Sequence, residues 1–321
     1  MIKSKTKPTV EKIALPDWVK NKQAHPCDVE KFSSGDFLRM NIPKNEPILG
    51  KWFLKQSLSM IYGPRGCGKT YLALEIAYAI ATAGSILGWK AKLSHKVLYL
   101  DGEMAAPSLQ QRLRKIVKSR GGVEHKLKLQ IATPDLQKGF LPDLSSKEGQ
   151  QMIDYAIEVD TEVVIVDNLS SWSKSGREDS ETWAPIAEWA LKHRSQGRAI
   201  IFIHHSGKAG TQRGTSRRED LLDTVIALKR PPHSKPSDGA NFEVHFEKAR
   251  NLTGTDVEPF LVKLTQDDNG HLVWQYAQQP AQSDSRKIEA RKLEKAGFSR
   301  TEIAKKLGVN KSTISRWFDE V

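Results

Sequence analysis

Short apolar runs alternate with amphipathic segments through the middle of this chain. The runs lie at 58–62, 97–100, 127–131, 163–166, 199–203 and 222–228. Segments with helical spacing separate them, at 71–81, 108–119, 147–160 and from Ser180 to about Gly197. Uninterrupted apolar strands are typical of a parallel sheet that is covered on both faces by helices. The pattern therefore predicts an α/β domain with a mainly parallel central sheet.

The helical segments carry signals for where they begin and end. Gly84 is expected to stop the first helix, and Ser180 is expected to cap the fourth. In that fourth helix one apolar face is predicted, formed by Trp183, Ile186, Ala187, Ala190 and Leu191.

The pattern changes after the last of these runs. Segments 241–246, 259–264 and 271–276 alternate or run apolar, and Asp268-Asn-Gly270 is a hairpin turn signal. These features predict an antiparallel C-terminal extension of the sheet. The expected organisation is an N-terminal arm at 1–47, a main domain at 48–277, a polar linker at 278–285 and a small all-α domain at 286–321.

The last forty residues have the spacing of a helix-turn-helix. One apolar face consists of Ile303, Ala304 and Leu307, Gly308 suits the turn, and Asn310 can cap the second helix. Val309, Ile314 and Trp317 are expected to close the small core, with a helix over 286–295 as the third element. This segment resembles the helix-turn-helix of resolvases and of many bacterial regulators.

A recognition helix would turn one set of polar side chains outward, where they can meet base edges and phosphates of duplex DNA. The residues at these positions are Lys311, Ser312, Thr313, Ser315 and Arg316. A helix-turn-helix that makes only protein contacts is the alternative.

Composition narrows the class of partner. The chain has 321 residues, a formal net charge of +12 and a pI near 9.5, which is compatible with a polyanion such as nucleic acid or with a merely soluble basic surface. Two cysteines cannot form a disulfide framework, and no apolar run is long enough to cross a membrane. We therefore expect a cytoplasmic protein with no membrane partner.

A phosphate-binding motif lies between the first apolar strand and the first helix. It reads G-x-x-x-x-G-K-[ST], and its residues are Gly63, Pro64, Arg65, Gly66, Cys67, Gly68, Lys69 and Thr70. Glycines let consecutive backbone N–H groups point at phosphate oxygens, the lysine reaches the terminal phosphates, and the hydroxyl can ligate Mg²⁺. The motif predicts that the chain binds a nucleoside triphosphate with Mg²⁺.

Acidic residues at the ends of two strands can complete such a site. Asp167 ends the run 163–166 and suits a Walker B aspartate that supports the metal. Glu103 follows the run 97–100 and suits the base that activates water; the alternative for it is an ordinary surface carboxylate. A competing assignment makes Asp101 the Walker B residue.

The order of these parts resembles the RecA/DnaB superfamily, and most closely the RepA-type hexameric replicative helicases of plasmids. The resemblance covers roughly residues 45–278 and depends on segments 60–84, 100–104, 166–168, 203–208 and 247–251. It implies a RecA-like P-loop ATPase that assembles as a homo-oligomer, as a hexamer in that family. It also implies a role in replication. The C-terminal helix-turn-helix is a departure from most members.

The resemblance also assigns roles to individual residues. Glu103 matches the catalytic base, and His205 matches the residue that senses the γ-phosphate; a buried core histidine is the alternative for His205. Lys248 and Arg250 match a pair that projects into the ATP site of the neighbouring subunit, where Arg250 acts as an arginine finger. The alternative for Arg250 is a basic residue that protects a sheet edge from aggregation.

Basic loops follow two of the predicted strands, the Walker B strand (163–166) and the strand before His205 (199–203), called the sensor strand. In RecA-like motors such loops line a central channel, where basic groups track the backbone of single-stranded DNA without reading its sequence. The residues are Lys174, Arg177, Lys208, Arg213, Arg217 and Arg218. An ordinary solvated loop is the alternative for each of them.

Two functions remain open on these grounds. One is an ATP-dependent DNA helicase or translocase that acts on single-stranded DNA in the replication of a plasmid or another mobile element. The other is an ATP-switched helix-turn-helix regulator of transcription, copy number or partition, without unwinding activity. A recombination factor is less favoured, because the chain lacks a four-cysteine zinc site.

Overall fold

The computed structural model describes residues 31–42, 44–122, 128–173, 180–207, 220–231, 234–235, 239–278 and 282–319. Within these ranges the side chains of 180–181, 277–278, 282–288 and 319 are not described. No helix in this described part of the chain is both long and apolar enough to span a membrane.

Nine strands lie within a few residues of the predicted runs, and four further strands of two or three residues were not predicted. They are β1 (Pro47–Leu49), β2 (Phe53–Leu54), β3 (Leu58–Gly63), β4 (Ser85–Ile86), β5 (Trp89–Lys90), β6 (Val97–Asp101), β7 (Leu129–Ala132), β8 (Val163–Asp167), β9 (Ala199–His205), β10 (Thr224–Lys229), β11 (Asn241–Ala249), β12 (Phe260–Gln266) and β13 (Leu272–Gln278).

The α-helices lie between strands and at the C-terminal end. They are α1 (Ser34–Arg39), α2 (Lys69–Thr82), α3 (Ala106–Ser119), α4 (Lys147–Ala156), α5 (Ser180–Ser195), α6 (Gln282–Lys295), α7 (Arg300–Leu307) and α8 (Lys311–Asp319). Two short 3₁₀ helices are also described, at Pro134–Leu136 and Gly254–Val257.

Nine strands form one sheet in the order β13-β12-β11-β10-β3-β9-β8-β6-β7. The six strands from β10 to β7 pair in parallel. β11, β12 and β13 add antiparallel pairs at one side. The predicted fold class, a mainly parallel RecA-like sheet with an antiparallel extension, is confirmed.

Both faces of the parallel strands β3, β6, β8 and β9 are buried, and successive side chains of each strand point to opposite faces. In β9, Ile201 and Ile203 join the core formed with α2 and α3, whereas Ile200 and Phe202 join the core formed with α4 and α5. This arrangement leaves the carboxyl ends of the parallel strands as the edge where a ligand can bind.

Several predicted boundaries differ from the structure. Helix α2 ends at Thr82, and its C-cap residue Ala83, not the expected Gly84, takes the left-handed conformation at φ 55°. Helix α4 stops at Ala156, although its pattern suggested residue 160. Leu191 of α5 is 39% exposed and does not belong to the buried face, which includes Trp189 instead.

The C-terminal helices pack around their own small core. Its buried members are Ala290, Ile303, Ala304, Ile314 and Trp317. Gly308 takes a left-handed conformation at φ 62° directly after α7, as a helix-turn-helix turn requires. Helix α6 begins at Gln282, so helical structure starts within the stretch expected to be a linker.

Candidate nucleotide site

The phosphate-binding motif lies where the central strand β3 meets α2. Gly66 and Gly68 have φ values of 71° and 101°, which residues other than glycine rarely adopt. The Lys69 ammonium is buried and donates to the carbonyl oxygens of Gly63 and Pro64, each at 2.8 Å. Burial lowers the pKa of Lys69. The loop thus carries a cation at the N-terminus of a helix, which suits a phosphate group.

Gly68 lies closely against the segment before β11. A Cβ atom at this position would come within 2.4 Å of Ala240 Cβ and 2.8 Å of Ala240 Cα. Such contacts are far shorter than van der Waals distance, so a side chain here requires the backbone to move. The loop therefore depends on glycine at this position for two reasons, backbone angle and space.

We expect Gly68→Ala to abolish nucleotide binding and to lower the stability of the fold. Gly121→Ala, the control, should keep nucleotide binding and lower the stability less. Gly121 also has a positive φ, of 64°, but a Cβ there meets nothing within 4 Å. The control therefore carries only the backbone cost, roughly 1–2 kcal/mol. Thermal unfolding and binding of a fluorescent ADP analogue measure the two effects, and equal effects in both variants would contradict the clash.

Asp167 lies beside Thr70 at the end of β8. The Asp167 carboxylate accepts hydrogen bonds from the side chains of Thr70 and Tyr99, the latter at 2.5 Å. Burial raises the pKa of Asp167. The described residues contain no cluster of three or more His, Cys, Asp or Glu side chains that could hold a metal ion. A hydroxyl and a carboxylate together nevertheless fit Mg²⁺, which takes few protein ligands and several oxygens from phosphates and water.

Asp101 ends β6 directly opposite Asp167 in the sheet register. It is buried, and its carboxylate accepts the Thr133 hydroxyl at 3.0 Å and the Met104 N–H at 3.2 Å. Burial raises the pKa of Asp101 to about 6. Its partners belong to neighbouring loops, whereas Asp167 contacts the P-loop threonine directly. This geometry favours Asp167 for the metal, an assignment that remains a prediction.

Glu103 meets His205 at the same edge of the sheet. The Glu103 Oε1 atom lies 3.2 Å from His205 Nε2, which also lies 3.2 Å from Asn168 Nδ2. The hydrogen bond with His205 lowers the pKa of Glu103 to about 2. Glu103 is half-exposed whereas His205 is buried. The predicted base is therefore ionised at neutral pH and is held by the predicted sensor.

These groups line one cleft of about 370 Å³. Its walls include Lys69, Thr70, Glu103, Asp167 and His205 together with residues that sequence reasoning missed, namely Tyr71, Met104, Arg112, Gly239 and Ala240. The Arg112 guanidinium stacks on the Tyr71 ring at 4.7 Å. Arg112 is one of several basic residues on an amphipathic helix, so its sequence position gives no sign that it faces the cleft.

Arg230 is a second residue that the sequence did not single out. It follows β10 and donates to the Arg65 carbonyl oxygen at 2.8 Å, which brings a guanidinium onto the phosphate-binding loop. Residues between β10 and β11, namely 230 and 239–240, thus contribute to the same edge.

Lys248 and Arg250 lie at the other end of the sheet. Arg250 follows β11, whose Ala249 pairs with Thr224 at the amino end of β10. Its guanidinium contacts the Asp220 carbonyl oxygen at 2.9 Å and the Asp223 carboxylate at 3.5 Å, and Lys248 reaches the same carbonyl at 3.3 Å. Neither residue lines the ATP cleft of its own chain.

The predicted single-strand-binding residues lie outside the described part of the structure. They are Lys174, Arg177, Lys208, Arg213, Arg217 and Arg218. The five predicted duplex-reading residues are described, and all belong to α8. Of these, Lys311, Ser312 and Arg316 are exposed, and Thr313 and Ser315 are partly buried.

Family models match the chain in two places. The model described as an AAA domain matches residues 23–211, which is more than half of the 321 residues. The chain belongs to the AAA domain family. This AAA domain match begins inside the stretch expected to be an N-terminal arm. A second model, described as a homeodomain-like domain, matches residues 281–321 and coincides with α6, α7 and α8.

Individual proteins resemble the AAA domain more distantly. The chain is 26% identical over 193 residues to the DNA repair protein RadA of Chlamydia trachomatis serovar D, covering 58% of this chain. It spans about a third of the length of that relative, 36%.

Two solved structures resemble the fold. A RadB recombinase shares 17% identity over 66% of this chain and 89% of its own, with a TM-score of 0.47. A KaiC-like protein from Pyrococcus horikoshii OT3 shares 14% identity over 70% and 91%, with a TM-score of 0.49.

Together the topology and the family matches identify a RecA-like P-loop ATPase domain followed by a helix-turn-helix. They do not single out RepA-type helicases among proteins with such a domain.

Proposed function

We propose that this protein is an ATP-driven motor that translocates on single-stranded DNA and unwinds duplex DNA during replication of a mobile element. The observation that carries the proposal is the placement of its charged groups. The base and the P-loop share one end of the sheet, whereas the predicted finger Arg250 lies at the other end. A ring or helical assembly of identical chains would bring such ends together.

Each residue of the cleft has a separate role in the proposed hydrolysis. Lys69 and the P-loop N–H groups hold the phosphates. The Thr70 hydroxyl and Asp167 would hold Mg²⁺, which when bound would supply positive charge to the phosphate oxygens. The Glu103 carboxylate accepts a proton from water as it attacks. His205 orients that carboxylate through their hydrogen bond and lies where it can respond to the terminal phosphate.

The length of β3 separates Arg250 from the P-loop of its own chain, which supports a role for Arg250 at a neighbouring site. β3 runs from Leu58, near Arg250, to Gly63 at the P-loop. Five residue steps at about 3.3 Å each separate these ends by roughly 17 Å. An arginine side chain does not span this gap. If Arg250 stabilises charge on a transferring phosphate, that phosphate belongs to another protomer, so a homo-oligomer is required.

The case for DNA as the partner comes from charge and from the C-terminal domain. The net charge of +12 favours a polyanion, and α8 turns Lys311 and Arg316 outward at the position of a recognition helix. The name of the Chlamydia relative, a DNA repair protein, points the same way for the AAA domain. In our proposal the helix-turn-helix anchors the motor near a duplex site.

The experiment that tests the proposal is ATP hydrolysis with and without mixed-sequence single-stranded DNA. We expect stimulation of at least tenfold, because RecA-like motors couple turnover to the strand in their channel. Duplex of the same sequence serves as the control and should stimulate less. A strand-displacement assay then distinguishes unwinding from translocation alone. Slow hydrolysis that is indifferent to single strands would contradict a motor.

The packed helix-turn-helix supports a second candidate, an ATP-switched DNA-binding regulator. This function requires a specific duplex footprint whose affinity changes with ATP, and it requires no unwinding. Footprinting on the DNA that flanks the coding region, with and without ATP, separates the two. A motor with targeting would show both the footprint and stimulation by single strands.

A further inference from the structure

The connection that carries Glu103 is held by residues that follow β7, the edge strand of the sheet. It runs from Asp101 at the end of β6 to Ala106 at the start of α3, so the predicted base lies on only a few residues of irregular backbone. A base must be within hydrogen-bond reach of the proton that it accepts. Whatever fixes this connection therefore fixes the base.

Three backbone N–H groups of the connection have acceptors on other segments or on Asp101. The Gly102 N–H donates to the Asp167 carbonyl oxygen at 2.7 Å. The Met104 N–H donates to the Asp101 carboxylate at 3.2 Å, and the Ala106 N–H donates to Asp135 Oδ2 at 2.8 Å. The residues on either side of Glu103 are thus both anchored.

Thr133 joins these anchors together. It follows β7 and is only 3% exposed. Its hydroxyl donates to Asp101 Oδ2 at 3.0 Å and lies 3.4 Å from the Met104 carbonyl oxygen. Asp135, two residues later, supplies the acceptor that α3 lacks, because its N-cap residue Ala105 has no side chain for capping.

We propose that Thr133 is a positioning residue for Glu103. Asp135 assists it by accepting the Ala106 N–H, so that the segment 133–135 holds the base at the cleft. Neither residue touches the reacting atoms. The inference deepens the proposed function and rests on it, because it assumes that Glu103 activates water. The segment 133–135 would thus affect the rate of hydrolysis although it belongs neither to the P-loop nor to the Walker B or sensor strand.

Thr133→Val tests this assignment, since valine keeps the shape and removes the hydroxyl. We expect kcat for ATP hydrolysis to fall about tenfold, because small misplacements of a catalytic group are costly. KM and the affinity for a fluorescent ADP analogue should stay within about twofold, since phosphate binding uses other residues. Thr133→Ser, which retains the hydroxyl, should restore turnover to within about twofold of the parent.

Thr161→Val is the matched control. Thr161 is also 3% exposed, but it lies at the opposite end of the sheet, before β8. It should leave turnover unchanged. Asp135→Ala, at an exposed position, should lower kcat by about threefold without affecting folding, because a lost cap costs only about 1 kcal/mol.

Combination with Glu103→Gln separates positioning from a general structural role. Once the base is gone, Thr133→Val should cause no further loss of the residual turnover, because residues that act as a unit are not additive. A further tenfold loss in that background would overturn the inference. So would full turnover in Thr133→Val alone, or a loss of ADP affinity that accompanies the loss of turnover.

The failure of this inference differs from the failure of the proposed function. If Glu103→Gln abolishes turnover but Thr133→Val does not reduce it, only the positioning role is wrong. If Glu103→Gln hydrolyses ATP as fast as the parent, Glu103 is not the base, and the positioning role is then wrong as well.

Discussion

Glu103→Gln is expected to reduce ATP turnover by about 10²–10⁴-fold, the usual contribution of a general base. Glutamine keeps the size of the side chain and can still bond to His205, but it cannot accept the proton of the attacking water. Because the pKa of Glu103 is about 2, the parent protein has its base ionised at neutral pH. The loss of turnover in the variant therefore measures the carboxylate itself.

Nucleotide binding should survive this substitution or become tighter. The Glu103 carboxylate shares the cleft with Lys69, so its removal takes a negative charge away from bound phosphates. Binding of a fluorescent ADP analogue measures this effect alongside turnover. Glu148→Gln, at an exposed position in the first turn of α4, is the matched control and should behave as the parent. Turnover within tenfold of the parent in Glu103→Gln would rule out Glu103 as the base.

Arg250→Ala is expected to reduce turnover by about 10³-fold or more in the assembled protein, the scale of an arginine finger. The same substitution also removes contacts with Asp220 and Asp223, so assembly must be checked by light scattering at the assay concentration. Arg250→Lys keeps the charge but not the planar fork, and it should recover only part of the activity.

Mixing two inactive variants gives the sharpest test of action in trans. In a head-to-tail assembly of Glu103→Gln and Arg250→Ala chains, roughly a quarter of the interfaces carry both an intact base and an intact finger. Turnover should therefore rise well above that of either variant alone. No rise in mixed assemblies, or full turnover in assembled Arg250→Ala, would show that Arg250 does not serve a neighbouring site.

The fold could be predicted from the sequence because its signals are local and repeated. Buried parallel strands need uninterrupted apolar runs, and the P-loop needs glycines at fixed spacing, so both are visible without any partner. Helix ends were less certain. Ala83 takes the left-handed conformation directly before Gly84, so the left-handed residue at this helix end lies one residue before the glycine expected from the sequence.

The cleft was predictable only in part. Asp167 and His205 end parallel strands, and Glu103 comes two residues after β6. Lys69 and Thr70 begin the helix that follows β3, and the carboxyl ends of parallel strands meet at one edge. Residues that reach the cleft from elsewhere gave no such signal. Arg112 comes from the middle of a helix. Thr133 does follow the parallel strand β7, but its hydrogen bond with Asp101 joins residues that are distant in sequence. Only three-dimensional packing identifies them.

The central strand β3 has a consequence for how neighbouring sites communicate. Its carboxyl end forms the P-loop of its own chain, while the Leu58 N–H at its amino end donates to Asp223, the partner of Arg250. In the proposed assembly one stiff, buried strand would connect two consecutive catalytic centres. A displacement at one phosphate site would be transmitted along β3 to the next site, so cooperativity between subunits would not require a flexible segment between them.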